Sequence, residues 1–566
     1  MAYQKFTMVV TEMESMDSPT KSKESEEENI SSRGLAEMNK IGKYQIMVYI
    51  AVSLPLALSA GFTLCYAFTS GEVDYRCLIP ECENSSTANW HNSWTAHSRP
   101  KSDNLFGSCD RFQVKDNVTG ECSKDSFSNR VGKCNSWVYD PQEQTILSEW
   151  DFTCDENRWK LAMVGTVNNI GQLVGLMFAG YLSDRYGRRT CLVVETFMSG
   201  VCGLIQSFSV NYMMFMTMEF LMAVSAAGIY SSGFILGMEM VGGKKRVLGA
   251  TFIGGMYAVG EMYLGTMAMF LKSWRPLLRA IFAPGLLAIF LPLIIPESIA
   301  WLAAKGKHQE VERIYKRMAY MNGLESTRVP RSIYEELNVN TCEKKSENKS
   351  SRSVPVREAL SRPKLLVRLL ACCLCWLTNT FVYYGMSLNA VAFAGDKYVN
   401  FILVSLVEIP AYFLSWILID YVGRKPTLSG SFLFSGIFCL AIQFVPKDSW
   451  AYAPLILYMG GKGCITMAFA TVYVYTTEMF PTTARHFLLS ICSMTGRIGS
   501  ILAPQTRLLA TIVASLPLIL FGSMGILAGV VSLVFPETLG IKLPDTVTEA
   551  ENIGKPKKTD DNFSCT

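Results

Sequence analysis

Twelve long runs that are free or nearly free of charged residues limit what this chain can fold into. Their lengths suit α-helices that cross a hydrocarbon layer about 30 Å thick. Because lipid offers the backbone no hydrogen-bond partners, a spanning segment must be a helix or a barrel strand, and these runs are too long and too continuously apolar for strands. We therefore predict an all-α membrane protein. The runs are residues 44–68, 161–182, 190–208, 211–238, 247–271, 280–295, 366–390, 398–419, 426–446, 451–477, 486–506 and 511–535.

Composition agrees with this prediction and excludes several classes of protein. Half of the 566 residues are apolar and only 18% are charged, against about 25% in soluble proteins. The net charge of +4 is too small and too scattered to indicate nucleic-acid binding. The sequence has no G-x-x-x-x-G-K-[ST] motif, so nothing indicates ATP-driven transport, and no cofactor or metal is expected.

The basic residues predict the orientation. Short loops with Arg185, Arg188, Arg189, Arg424 and Lys425 fall on one side, which the positive-inside rule makes cytoplasmic, together with both termini. The predicted parts are a disordered tail (1–43), a six-helix bundle (44–295) with an extracellular loop (69–158), a cytoplasmic linker with short helices (296–363), a second bundle (364–535) and a cytoplasmic tail (536–566).

The predicted outer loop has the features of a secreted segment. It contains six of the seventeen cysteines and two N-glycosylation sequons, at Asn84 and Asn117. An even number of cysteines in this setting predicts disulfides, with the pairing left open. Zinc ligation is the competing interpretation, but no Cys/His spacing supports it. The cysteines are Cys77, Cys82, Cys109, Cys122, Cys134 and Cys154.

Three motifs recur at nearly one offset. Asp184-Arg185-Tyr186-Gly187-Arg188 is matched by Asp420-Tyr421-Val422-Gly423-Arg424, 236 residues on. Glu239 and Arg246 recur as Glu478 and Arg485 after 239 residues, and Pro296-Glu297-Ser298 recurs as Pro536-Glu537-Thr538 after 240. The repeat predicts two like-oriented six-helix halves.

The repeated charges are predicted to form an inner gate. A tight glycine turn places an aspartate beside arginines at helix ends, where charge pairs can hold two bundles together and break when the bundles rock. The alternative is that these loops only set topology. Two copies at equivalent positions favour the gate, with candidates Asp184, Arg185, Gly187, Arg188, Glu239, Asp420, Gly423, Arg424, Glu478 and Arg485.

The paired loop motif resembles the signature of the major facilitator superfamily. More narrowly, the chain resembles solute carrier family 22, which transports organic cations, anions and zwitterions including carnitine. The resemblance covers nearly all of residues 44–540 and implies the major facilitator fold. Besides the Cys-rich loop, it rests on Pro296–Leu302, Tyr384–Asn389, Val407–Tyr412 and Tyr475–Thr482.

Several charged residues lie inside the predicted spans. Each costs about 2.5 to 3.5 kcal/mol if it sits at a helix centre, so we expect it to face the bundle interior. Glu408, Lys462 and Arg497 each lie about 15 Å from the start of their span, at the depth where transporters bind substrate. The alternative is that these charges pair with one another and never meet substrate. Glu261 lies in the fifth span without an evident partner.

Arg497 bears on the solute. Its stretch resembles that of anion and carnitine-type members, and a guanidinium can hold a carboxylate through two hydrogen bonds. Glu219, where relatives usually have arginine, removes a positive charge from the N-terminal half. Together they favour cations or zwitterions over plain anions.

Aromatic residues complete the predicted site. Tyr230 and Phe234 are one turn apart on the fourth span, and Trp376 and Tyr383 are two turns apart on the seventh. The resemblance implies that these positions line the organic-ion pocket, where a ring face attracts an ammonium group. Ordinary helix packing is the alternative.

We expect a transporter, not an enzyme, that moves small organic cations or carnitine-like zwitterions by alternating access through the plasma membrane. Organic anions are the alternative, because of Arg497. A receptor would have seven spans and no repeat, and a hydrolase would need a catalytic motif that the sequence lacks. The expected partners are the solute, the lipid bilayer and no nucleic acid, with sodium or proton coupling left open, in a monomer or weak homo-oligomer.

Overall fold

A computed structural model describes most of the chain between residues 42 and 553. The described residues are 42–84, 88–90, 94–98, 109–115, 122–240, 246–323, 358, 360–393, 395–446, 450, 452–481, 484–541, 544 and 546–553. Residues 1–41 of the predicted N-terminal tail, Asn117, residues 324–357 of the linker and the end of the C-terminal tail lie outside them.

Each of the twelve predicted runs is largely helical in the described part of the chain. The first six helices are α1 (Lys43–Thr69), α2 (Cys154–Tyr186), α3 (Arg188–Gln206), α4 (Tyr212–Glu239), α5 (Arg246–Leu271) and α6 (Trp274–Leu293). The second six are α7 (Pro363–Asn389), α8 (Lys397–Tyr421), α9 (Arg424–Phe444), α10 (Ala453–Met479), α11 (Arg485–Leu502) and α12 (Leu516–Ser532).

Shorter helices connect or flank these. They are Ile146–Glu149, Ile299–Ala304, His308–Asn322, Thr506–Ile512 and Val547–Asn552. By length and composition, nine helices of the described part could cross a membrane, and α12 is a shorter apolar helix.

The packing repeats every six helices. α1 packs on α5 as α7 packs on α11, α2 packs on α4 as α8 packs on α10, and α3 packs on α6 as α9 packs on α12. Two further pairs, α2 with α11 and α5 with α8, join the halves and are related by the same shift. The repeat in the sequence is therefore a repeat of structure.

Two of the helices are interrupted next to residues of the predicted binding site. α8 breaks at Val407, directly before Glu408, because Pro410 has no N–H to bond the carbonyl three to four residues earlier. α4 breaks at Ala227 and Gly228, just before Tyr230. Broken helices in transporters accompany midplane binding sites.

The described residues between 70 and 153 form the disulfide segment, which packs over one end of the bundle. Strand β1 (Tyr75–Cys77) pairs antiparallel with β4 (Trp137–Tyr139), and β2 (Asp110–Val114) pairs antiparallel with β3 (Phe127–Lys133). Five cysteines of this segment and Cys154 at the start of α2 are joined as Cys77–Cys134, Cys82–Cys122 and Cys109–Cys154. Asn84 is exposed. We call this end of the bundle the disulfide side and the opposite end, with the Gly187 and Gly423 loops, the turn side.

Glycine permits a close contact between two helices of the C-terminal half. A Cβ at Gly436 of α9 would lie 2.7 Å from the carbonyl oxygen of Gly522 in α12, whereas a Cβ at Gly430, also in α9, has its nearest neighbour 4.0 Å away. A side chain at Gly436 must therefore push α12 away.

We predict that Gly436→Leu lowers the melting temperature of the detergent-solubilised protein, because overpacking costs about 1 to 3 kcal/mol. Gly430→Leu is the matched control and should melt within experimental error of the parent. Fluorescence-detected size exclusion after heating measures both. Equal melting temperatures for the two variants would show that α9 and α12 are not tightly packed.

Candidate functional site

The repeated motifs of the N-terminal half converge in one cluster on the turn side. Gly187 has a φ of +105°, which favours glycine, and the Glu297 carboxylate occupies the space that a Cβ would fill. That carboxylate accepts the backbone N–H of Arg189 at 2.9 Å, at the start of α3. The Ser298 hydroxyl donates to Glu239 at the end of α4. The cluster ties four separate parts of this half together.

The C-terminal half has the same cluster. Gly423 has a φ of +112°, and Glu537 accepts the backbone N–H groups of Arg424 and Lys425, each at 3.0 Å. Burial raises the pKa of Glu537, but four backbone N–H donors outweigh it and lower the pKa overall. The Thr538 hydroxyl donates to Glu478 at 2.6 Å, as Ser298 does to Glu239.

The charge pairs of these clusters lie within one half each, which differs from the predicted gate between the halves. Arg188 contacts Asp184 at 2.8 Å, four residues earlier on the same chain segment. Arg424 contacts Glu478 at 3.1 Å and Asp420 at 4.0 Å, all in the C-terminal half. The reason is local geometry: the glycine turn folds each arginine back along the helix that precedes it.

The remaining gate candidates also contact their own half. Arg185 donates to the Tyr181 hydroxyl at 2.8 Å. Arg485 donates to the carbonyl of Phe480 at 3.2 Å. The side chain of Arg246 lies outside the described part of the chain.

Contacts between the halves are found on the disulfide side. Gln505, after α11, donates to the Thr166 hydroxyl of α2 at 2.7 Å. Tyr398 at the start of α8 stacks on Phe68 at the end of α1, with ring centroids 5.6 Å apart. The Tyr398 hydroxyl also donates to Glu143 of the disulfide segment at 2.8 Å, and Lys397 pairs with the same carboxylate. In this state the halves are joined at that end.

Glu408 and Lys462 form an ion pair in the middle of the bundle. Lys462 Nζ lies 2.8 Å from Glu408 Oε1, and both side chains are 0% exposed. The ammonium also donates to the Ser387 hydroxyl at 2.7 Å and to the Tyr383 carbonyl at 3.3 Å, and it lies 3.4 Å from the centroid of the Tyr383 ring. Lys462 is therefore held by one charge contact with Glu408 and by two hydrogen bonds to α7.

Glu261 of α5 joins this pair from the other half. The Tyr383 hydroxyl donates to Glu408 at 2.7 Å and lies 3.3 Å from Glu261 Oε1. The Ser405 hydroxyl lies 3.0 Å from Glu261 Oε2. Glu261 is 1% exposed, so two carboxylates and one ammonium share a single dry cluster across the interface between α5 and α8.

Arg497 lies in α11 at the other contact between the halves. It is partly exposed, and it donates to Gln172 of α2 at 3.1 Å. Gln172 donates to Asn168, and Asn168 donates to the buried Glu219, at 2.8 and 2.7 Å. Arg497 also interacts electrostatically with the Tyr473 hydroxyl. Its remaining N–H groups are thus placed beside an aromatic surface.

Aromatic rings from both halves surround the same region. Tyr230 stacks on Phe234 at 6.1 Å and meets Tyr257 edge-on at 6.0 Å. In the other half, Tyr473 packs between Trp376 at 4.4 Å and Phe469 at 5.7 Å. Tyr230 lies within electrostatic range of Tyr473 across the interface, so the two sets adjoin each other.

The predicted binding residues divide by exposure. Tyr230, Phe234 and Arg497 are partly exposed, as a solute contact requires. Trp376 is 2% exposed and lies behind Tyr473, and Tyr383 is 3% exposed and lies beside Glu408. Glu408 and Lys462 are fully buried and contact each other. In this state Glu408 and Lys462 pair with each other, as the alternative to substrate binding had it.

Sequence reasoning missed three aromatic residues of this region and left Glu261 without a partner. Tyr257, Phe469 and Tyr473 are partly exposed or exposed rings, and Glu261 belongs to the charged cluster. A signal was present for each: Phe469 and Tyr473 follow Lys462 by seven and eleven residues, on one helix face, and Tyr257 precedes Glu261 by one turn.

Comparison with known proteins agrees with the fold. A family profile described as "Sugar (and other) transporter" matches residues 118–548. "Solute carrier family 22 member 21" of Mus musculus is 32% identical over 92% of this chain and 93% of its own. "Organic cation/carnitine transporter 2" of Rattus norvegicus is 31% identical over 91% and 92%. "Organic cation transporter protein" of Drosophila melanogaster is 31% identical over 92% and 94%.

A solved structure shows the same fold. The xylose transporter of E. coli, in a partially occluded inward open conformation, superposes with a TM-score of 0.59 over 88% of this chain and 98% of its own, at 16% identity. The protein is therefore a multi-span membrane transporter of the major facilitator superfamily and not an enzyme. Within that superfamily, the chain belongs to solute carrier family 22.

We predict that Lys462→Met destabilises the protein more than the double variant Lys462→Met/Glu408→Gln does. Removing one partner of a buried ion pair leaves an uncompensated charge and costs about 3 to 5 kcal/mol, whereas removing both charges avoids that cost. Melting temperatures of the parent, both single variants and the double variant form the cycle. Strictly additive losses would mean that the two side chains are not coupled.

Proposed function

We propose that this transporter moves small amine-bearing organic ions, either cations or carnitine-like zwitterions, across the plasma membrane. The observation that carries the proposal is the two adjoining sets of partly exposed aromatic rings, with Arg497 at their edge. The names of the relatives, which include organic cation and carnitine transporters, support the same class of solute.

The rings would hold the amine. A ring face attracts an ammonium group by about 0.5 to 2 kcal/mol, most strongly where water is excluded. Tyr473 is 40% exposed and Tyr230 is partly exposed, one from each half. A solute between them would contact both bundles at once, as alternating access requires.

Arg497 would hold the carboxylate of a zwitterion. One of its N–H groups bonds Gln172, and its other donors are free to form a bidentate pair with an anionic group. The same residue favours the second candidate function, transport of organic anions. The two differ in whether an amine on the solute is required.

Opening would require the contacts on the disulfide side to break. Gln505 with Thr166 and Tyr398 with Phe68 each join one half to the other at that end. We propose that this end faces the outside, because the disulfides and the Asn84 sequon suit that compartment and the basic loops suit the inside. Both termini would then be cytoplasmic, with the predicted bundles, linker and tails on the boundaries given above.

We predict that Tyr473→Leu raises the apparent KM for a permanent monocation by about 2- to 30-fold, through loss of the ring face. The measurement is uptake of a labelled quaternary ammonium compound, a monoamine, carnitine and an aromatic carboxylate into transfected cells. Tyr320→Leu is the control, because Tyr320 is 87% exposed on the helix His308–Asn322. Uptake of the carboxylate alone would favour the second candidate function.

We predict that Arg497→Asp depresses uptake of carboxylate-bearing solutes far more than uptake of permanent cations. The substitution replaces the guanidinium that would bind the carboxylate of the solute by an aspartate that repels this carboxylate. Lys316→Asp, on an exposed face of the helix His308–Asn322, makes the same change of charge away from the site. Equal losses for both classes of solute, at unchanged surface expression, would make Arg497 an architectural residue.

A further inference from the structure

The buried cluster of Glu261, Glu408 and Lys462 has one positive charge too few. Two carboxylates and a single ammonium give a net charge of −1 if all three are ionised, in a place with 1% exposure or less. An uncompensated charge in such surroundings is costly, so a further positive charge is favoured. Lys462 brings one positive charge for two carboxylates, and its Nζ lies against Glu408 and donates its hydrogen bonds to Ser387 and the Tyr383 carbonyl.

A count of hydrogens assigns the missing charge to Glu261. The Tyr383 hydroxyl has one hydrogen and two acceptors, and Glu408 Oε2 at 2.7 Å is nearer than Glu261 Oε1 at 3.3 Å. The Ser405 hydroxyl has one hydrogen and also two acceptors, the Phe401 carbonyl at 2.9 Å and Glu261 Oε2 at 3.0 Å. If Glu261 carries a proton on Oε1, it donates to Tyr383 and Tyr383 donates to Glu408, so both contacts of the Tyr383 oxygen have a hydrogen between the two atoms.

Glu219 shows the contrasting case. This buried carboxylate accepts an amide N–H from Asn168 at 2.7 Å and another from Gln206 at 2.5 Å. Its ionised form is thus supplied with donors, as that of Glu261 is not.

The proton on Glu261 would bridge the two halves. Glu261 belongs to α5, whereas Tyr383, Ser405, Glu408 and Lys462 belong to α7, α8 and α10. When α5 separates from α8, the carboxylic acid loses its acceptor and meets water. The O–H bond of Glu261 then breaks and the proton passes to water, which leaves a carboxylate.

The cluster also adjoins the aromatic cleft. Tyr257 of α5 and Tyr412 of α8 are partly exposed, and each interacts electrostatically with both Glu261 and Glu408. These two tyrosines, with Tyr383, are the other titratable groups next to Glu261. An ammonium group in the cleft could therefore supply the positive charge that the proton on Glu261 supplies in its absence.

We propose that Glu261 is a proton-binding site and that its proton exchanges for the amine-bearing solute, so that the transporter is a proton/organic-cation exchanger. The exchange rests on the proposed function, whereas the proton site does not. The charge balance is one proton out for one monocation in.

The proton site is tested without a solute. Infrared difference spectra of the purified full chain in lipid nanodiscs, recorded while pH is raised, should contain the carbonyl stretch of a protonated carboxylic acid. That band should be lost in Glu261→Gln and kept in Glu219→Gln. Should Glu261→Gln fail to fold, Tyr383→Phe removes the acceptor of the proton and should shift the same band. A parent spectrum without the band, or a band unaffected by changes at Glu261 and Tyr383, overturns the proton site.

The exchange is tested by uptake of a labelled monocation into proteoliposomes with the membrane potential clamped at zero. An interior one pH unit more acidic should sustain about tenfold accumulation at one-for-one exchange. Glu261→Gln should accumulate the cation equally with and without the gradient. Parent uptake that ignores the gradient overturns the exchange. A band that depends on Glu261 in a protein that carries no cation leaves the proton site standing and removes the proposed function instead.

Discussion

The structure depends on the neutralisation of charges that no solvent reaches. In the low-dielectric interior of a membrane bundle, an ionised side chain is tolerated only with a partner of opposite charge and a full set of hydrogen bonds. Glu408 and Lys462 neutralise each other's charge, and Tyr383 and Ser387 of α7 supply hydrogen bonds to the pair. Their pairing fixes how α7, α8 and α10 are rotated about their axes, and Glu261 then holds α5 against them. The contact between the two halves at this depth is therefore polar at its centre and aromatic at its border.

The parts of the fold that could be predicted are those that the chain repeats. The offset of about 240 residues between like motifs predicted two equivalent halves, and the helix pairs do recur with a shift of six. The structure adds a reason for the three motifs to recur together. In each half the glycine turn, the glutamate at the end of the fourth helix and the Pro-Glu-Ser/Thr segment contact one another, so a change in one would unsettle the others.

The site was less accessible to prediction, because a sequence indicates depth along a helix but not its neighbours. Glu408, Lys462 and Arg497 could be placed near the midplane by counting residues. Which of them pair depends on the rotation and spacing of separate helices. Trp376 and Tyr383 are aromatic residues like Tyr473, yet they are buried and Tyr473 is exposed. The glycine turns likewise bend Arg188 and Arg424 back onto their own halves, a local geometry that the charge pattern alone does not reveal.

The disulfide segment has a mechanical role that its position implies. Glu143 contacts both Lys397 and Tyr398, at the start of α8, while Glu149 of the same segment bonds Trp274 at the start of α6. One covalently braced unit thus straddles the seam between the two bundles at the end where they meet. When the two bundles separate at this end, the contacts between the disulfide segment and α8 must also break. The segment therefore contributes to the activation barrier for opening on this side. A ligand or antibody that clamps it would slow turnover without coming near the translocated solute.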